Sequence, residues 1–198
     1  MAERHRQLLI EQLLGKREAM ERRGRAAEWG RMFDLAMTER PVFSRGHFDP
    51  GHFTASGFVM SEDASSLLLI LHKKLKLWLQ PGGHIEGSDP SWLAACRREI
   101  EEETGLVDCE LIDELIDIDV HPIPAWGAEL PHLHFDLRAL YRTRDVNVHA
   151  GAGVVFARWF PLQSIVASQG GILADQVGTD ESVIRVARAA LLFRAGNG

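Results

Sequence analysis

The run Arg98-Glu99-Ile100-Glu101-Glu102-Glu103-Thr104-Gly105 constrains this chain more than any other segment. Set on a helix at about 100° per residue, Leu93, Cys96 and Ile100 fall on one apolar stripe. Glu99, Glu102 and Glu103 follow an i, i+3, i+4 spacing and share a separate face, while Glu101 points elsewhere. Pro90 or Ser91 starts this helix, and Gly105 terminates it after Thr104. Three carboxylates on adjacent turns repel one another unless something neutralises them. A solvated acidic face ion-paired to Arg97 and Arg98 would do so. So would a hard divalent cation, because Mg²⁺ and Mn²⁺ favour oxygen ligands. Gly82 and Gly83, just upstream, permit close backbone approach to such a site.

The rest of the chain reads as α/β. Residues 1 to about 40 carry Leu8, Leu9, Leu13, Leu14, Met32, Phe33, Leu35 and Ala36 among dense charges, which predicts helix. Gly15, Gly24 and Gly30 are expected to divide it into two or three short helices. Residues 41–51, with Pro41, Gly46, Pro50 and Gly51, read as a linker, so a helical extension over 1–45 precedes a domain over 46–198. Strands are predicted over 52–60, 66–72 and 75–79, and Pro81-Gly82-Gly83 opens a loop. Residues 115–121 place Ile116, Ile118 and Val120 opposite Asp117, Asp119 and His121. Residues 132–140 place Leu133, Phe135 and Leu137 opposite His132, His134 and Asp136. Such alternation marks half-buried strands. A last strand over 154–160 and a helix over 181–194, capped by Asp180, complete the reading.

Composition removes several function classes. A net charge of −6 disfavours bulk nucleic-acid binding. Cys96 and Cys109 sit in no CxxC or Cys/His cluster, which argues for reduced thiols rather than structural zinc. No apolar leader and no membrane-length apolar run is visible, so a cytoplasmic location is expected.

The segment from Gly83-His84-Ile85-Glu86-Gly87-Ser88-Asp89 through Arg98-Glu99-Ile100-Glu101-Glu102-Glu103-Thr104-Gly105-Leu106 resembles the Nudix box, G-x5-E-x7-R-E-U-x-E-E-x-G-U with U aliphatic. Its C-terminal half matches at every specified position. The spacing from Gly83 to Arg98 is one residue longer than the pattern, so the first-half glutamate position falls on Asp89 or Pro90. Leu77-Trp78-Leu79-Gln80-Pro81-Gly82-Gly83-His84, Asp119-Val120-His121-Pro122-Ile123-Pro124-Ala125 and His132-Leu133-His134-Phe135-Asp136 extend the likeness to a bacterial subgroup with no firm substrate. The resemblance implies an α/β/α sandwich with a mixed sheet. It also implies a Mg²⁺-dependent hydrolase (Mn²⁺ as substitute) acting on a nucleoside diphosphate linked to another moiety. Glu99, Glu102, Glu103 and the carbonyl of Gly82 would hold the metal. Glu99 and Glu102 would act in catalysis, with Arg98 as the orienting partner.

The general base is open at this level. The stretch His149 to Trp159, where relatives in the subgroup carry a serine- and glutamate-rich loop, has no carboxylate. Glu99 is one alternative; His134, Asp136, Asp119 and His121 are others, and a solvent-facing polar strand side fits the latter four equally well. His84 beside the glycines is a candidate phosphate contact. Trp78 is a candidate for stacking on a base, although strand aromatics more often pack. The acid-free loop motivates a second reading, a non-catalytic nucleotide-binding protein. Dimerisation or packing on the core is the expected role of residues 1–45.

Overall fold

The structure is a computed structural model and describes residues 2–169 and 171–196. Its centre is the long strand β1 (Gly51–Ser61), paired on both sides. β1 runs parallel to β6 (His132–Thr143) from Gly51↔Leu133 to Ser61↔Thr143. β6 in turn pairs antiparallel with β5 (Glu110–Ile123). On its other edge β1 splits its partners: Thr54, Ala55 and Ser56 face β4 (Gly82–His84), and Val59 and Met60 face β2 (Ser66–His72). β2 also pairs with β3 (Trp78–Leu79) and β7 (Val154–Pro161). One parallel contact among antiparallel ones makes the sheet mixed.

Alternation along β1 and β6 divides the core in two. Phe53, Ala55, Val59, Phe135, Leu137, Ala139 and Tyr141 point to one side, against α1 (Ala2–Arg22), α2 (Ala26–Ala36) and α3 (Trp92–Thr104). Phe58, Met60 and Leu140 point to the other, against α4 (Leu162–Ser168) and α5 (Glu181–Gly196). The result is the expected α/β/α sandwich. Residues of 1–45 share the first core: Leu9, Leu13, Met20 and Met32 are fully buried in it.

Several local expectations are corrected. Gly15 and Gly30 do not interrupt α1 and α2; only Gly24, at φ +72°, separates them. The roughly 1 kcal/mol helix penalty of a glycine is smaller than the gain from burying Leu13 or Met32 on the same helix. Pro81-Gly82-Gly83 does not open a loop; Gly82 and Gly83 are strand residues, because the β1 edge at Thr54–Ser56 is free to pair there. The strand expected over 75–79 shrinks to Trp78–Leu79, after Lys76 at φ +56°. Ile116 lies in the second core rather than on the face of Ile118, since the ladder slips between Asp113 and Asp117. α4, β8 (Ile172–Ala174) and β9 (Val177–Gly178) carried no periodic signal. Among the described residues, no helix is long and apolar enough to cross a membrane.

Candidate active site

α3 forms where its caps dictate. Ser91 is extended, and its hydroxyl accepts from the Ala94 N–H at 3.1 Å. Gly105 is left-handed at φ 76° and donates its N–H to the Glu101 carbonyl. Cys96 and Ile100 are buried against β1, as the stripe requires. Gly57 makes this seating possible: a Cβ there would lie 2.5 Å from Ile100 Cδ1.

The opposite stripe meets β4. The Gly82 N–H donates to Glu103 at 3.0 Å. A Cβ on Gly83 would lie 2.5 Å from Glu99 Oε1, so glycine there leaves the Glu99 carboxylate in place where a side chain would push it aside. Arg98 organises the rest. Its guanidinium grips Asp89 through two bonds, of 3.1 and 3.0 Å, and reaches Glu99 at 2.9 Å and Glu102 at 3.3 Å. It also donates to the His84 carbonyl at 2.9 Å. The extra residue before α3 is therefore absorbed in the turn, and Asp89 becomes the bidentate partner of Arg98. The spacing narrowed this position to Asp89 or Pro90, and only a carboxylate can take a guanidinium fork.

The electrostatics show a shortage of positive charge. Burial raises the Glu103 pKa to about 8; its bond from Gly82 opposes this, and Glu99 and Glu102 reinforce it. Burial also raises Glu99, against the pull of Arg98. Asp89 goes the other way: burial acts to raise it, but the bond and charge of Arg98 and the Glu86 N–H together outweigh burial and hold it below the usual range. One guanidinium thus serves three carboxylates, Asp89, Glu99 and Glu102, and Glu103 lies beyond its hydrogen-bond reach. Hard oxygen donors in this state suit a divalent cation.

The other candidates are placed less as expected. Trp78 is fully buried, edge-on to Phe160 at 4.8 Å, with its indole N–H on the Ala174 carbonyl; no face is left to stack on a base. Asp136 is buried and consumed by Thr54, Ser56 and Arg138, so it lines no pocket. His84 and His134 do come together, at 5.2 Å between rings, but with His52, His121 and His132. In β4 the side chain of His84 takes the side of Thr54, opposite to the side on which Gly83 meets Glu99. Burial, with the other four imidazoles, holds His134 well below the ordinary histidine pKa. The acid-free loop lies on the C-terminal end of α3, where the His149 and Gly151 N–H groups donate to the Thr104 and Glu103 carbonyls. A cleft of about 980 Å³ lies elsewhere, among Arg97, Asp108, Glu110 and Arg142.

Against known proteins, residues 51–178 match the NUDIX domain, more than half of the chain. The chain belongs to the Nudix family of pyrophosphohydrolases. A NUDIX-family hydrolase from Clostridium perfringens is similar at 23% identity and TM-score 0.55, over 72% of this chain and 97% of that one. A C. elegans Ap4A hydrolase is similar at 19% identity and TM-score 0.51, over 73% and 98%. The E. coli dihydroneopterin triphosphate pyrophosphohydrolase is similar at 13% identity and TM-score 0.52, over 73% and 95%. At these identities the likeness is one of fold. A comparison with the curated proteins finds no match.

Proposed function

We propose that this Nudix protein is a Mg²⁺-dependent hydrolase that cleaves the diphosphate linkage of a nucleoside diphosphate derivative. The observation that carries the reading is the face made by Glu99, Glu102 and Glu103 against the Gly82-Gly83 strand, with more carboxylate than local cation. Ap4A and dihydroneopterin triphosphate, named for two structural neighbours, are phosphoanhydrides of the class this reading requires.

In this reading Glu99, Glu102 and Glu103 hold the cation, with the Gly82 carbonyl beside them. A Mg²⁺ ion held there would supply positive charge for the diphosphate and would lower the pKa of an attacking water. Arg98 positions Glu99 and Glu102 through its anchor on Asp89 rather than touching substrate. Glu99, shielded from solvent and raised in pKa, is the carboxylate suited to take the proton of that water.

The loop over His149–Gly153 brings no acid to the end of α3, which favours one second reading, nucleotide binding without turnover. A panel of nucleoside diphosphate sugars, dinucleoside polyphosphates, nucleoside triphosphates and coenzyme A derivatives separates the two. Mg²⁺-dependent release of phosphate-containing products, lost in Glu103→Gln, supports hydrolysis. Tight binding with no product under Mg²⁺ or Mn²⁺ overturns it.

A further inference from the structure

On the sheet side away from α3, the register places His52 of β1 beside His134 of β6, and His121 of β5 across from His134. His132 enters two residues earlier on β6, on the same side. The rings of His52, His132 and His134 lie with centroids 4.9, 4.9 and 5.2 Å apart, and each offers a nitrogen within 4.8 Å of the other two.

Hydrogen bonds settle which nitrogens are bare. His52 Nδ1 lies 3.1 Å from the His47 carbonyl, and His132 Nδ1 lies 2.7 Å from the Leu130 carbonyl. A carbonyl only accepts, so both Nδ1 atoms carry the proton and both Nε2 atoms present lone pairs. Those two Nε2 atoms are buried and have no hydrogen-bond partner, in side chains only 1% and 7% exposed. Two buried acceptors without partners, in rings 4.9 Å apart, are a state that buried polar groups rarely keep. Carbonyls orienting Nδ1 so that Nε2 is free to ligate is the usual outer support of a metal-bound histidine.

We infer that His52, His132 and His134 form a second cation site, for a divalent transition metal of the zinc type, separate from the carboxylate face of α3. Imidazole nitrogens select such ions over Mg²⁺. Metal–nitrogen distances of about 2.1 Å require the three nitrogens to draw a little closer than 4.8 Å, which small ring rotations supply. The ion would tie β1 to β6 at the start of their only parallel ladder. His84, whose ring stands 5.1 Å from His52 and whose carbonyl holds Arg98, links this tie to the box.

The test uses the full chain, stripped with chelator and titrated with Zn²⁺ in the presence of excess Mg²⁺. Wild type and Glu103→Gln should both bind one tight equivalent, and His52→Gln and His132→Gln should bind at least about 10-fold more weakly. Copper(II) added to the unmutated protein should show nitrogen hyperfine structure in its paramagnetic resonance spectrum, which keeps the test decisive if a histidine variant does not fold. Zinc lost in Glu103→Gln but kept in the histidine variants, no tight zinc in wild type, or an all-oxygen copper spectrum each overturns the site. None of these outcomes depends on hydrolysis.

Discussion

Two clusters of acids lie on opposite sides of the same sheet and behave in opposite ways. On the α3 side, Glu99 and Glu102 share Arg98 with Asp89, Glu103 lies beyond its reach, and burial pushes Glu99 and Glu103 upward in pKa. On the α5 side, Asp117, Asp119 and Asp136 are threaded through Arg138 and Arg185, and Arg25 adds a third guanidinium on Asp119 at 3.2 Å. Burial acts to raise Asp119 too, but the His121 bond and the charges of Arg138 and Arg185 outweigh it and hold its carboxyl far below the usual range. The lesson is one of compensation. A carboxylate cluster matched by guanidinium is complete as folded protein, whereas one left short of cation is built to receive one. The aspartates are matched within the fold; in the proposed reading the glutamates are the ones left for function.

The largest effect should come from breaking the compensated cluster. Arg138→Met strips buried Asp117 and Asp136 of the guanidinium that both share, and denaturant unfolding should show a loss of about 3–5 kcal/mol. A loss below 1 kcal/mol would mean that Arg185 alone suffices. On the uncompensated side the response should be in turnover instead. Glu103→Gln, nearly isosteric, should lower kcat/KM on any accepted phosphoanhydride by more than about 100-fold without loss of stability in chelator. Equal activity in variant and wild type would refute the assignment of that face.

Gly83→Ala tests the boundary between strand and helix. Its methyl displaces Glu99, and activity should fall by about 10- to 100-fold while the midpoint of unfolding barely moves. An unchanged rate would show that Glu99 has room to adjust.

The smallest effect is a pH slope, with opposite sign for the two clusters. In metal-free protein Glu103 holds its proton up to about pH 8, against 4.5 when unfolded. The folded state therefore binds more protons between those values, and stability from this group falls as pH rises through them, by at most about 1.4 kcal/mol per pH unit. Asp119, depressed below 3.8, contributes stability above that value that is lost as pH falls further. Unfolding titrations of wild type and Glu103→Gln in chelator should differ only on the upper limb.

The comparison also explains what could be read in advance. α3 was legible because its information is local: an i, i+3, i+4 acidic face, a serine cap, a glycine stop. The position of the box's first acid was half legible, as Asp89 or Pro90; that Asp89 would grip Arg98, nine residues on, took the fold of the turn. The polar side of β5 and β6 was visible as alternation, while their antiparallel register came only with the structure. That Asp136 would be spoken for was not visible, because Thr54 and Ser56 lie about eighty positions upstream. Trp78 misled for the same reason, since Phe160 and Ala174, which enclose it, come from the far end of the chain.

By itself, then, the sequence determined the box helix, its two faces, the α/β character and the family, all of which depend on residues within a few turns of one another. The tertiary structure decided which carboxylates are neutralised, and that Gly82 and Gly83 form an edge strand pressed on Glu99. It also decided that histidines at 52, 84, 121, 132 and 134 meet in one cluster of rings. Those outcomes depend on strand register, which pairs residues distant in sequence, and on burial, which sets the strength of every charge it encloses.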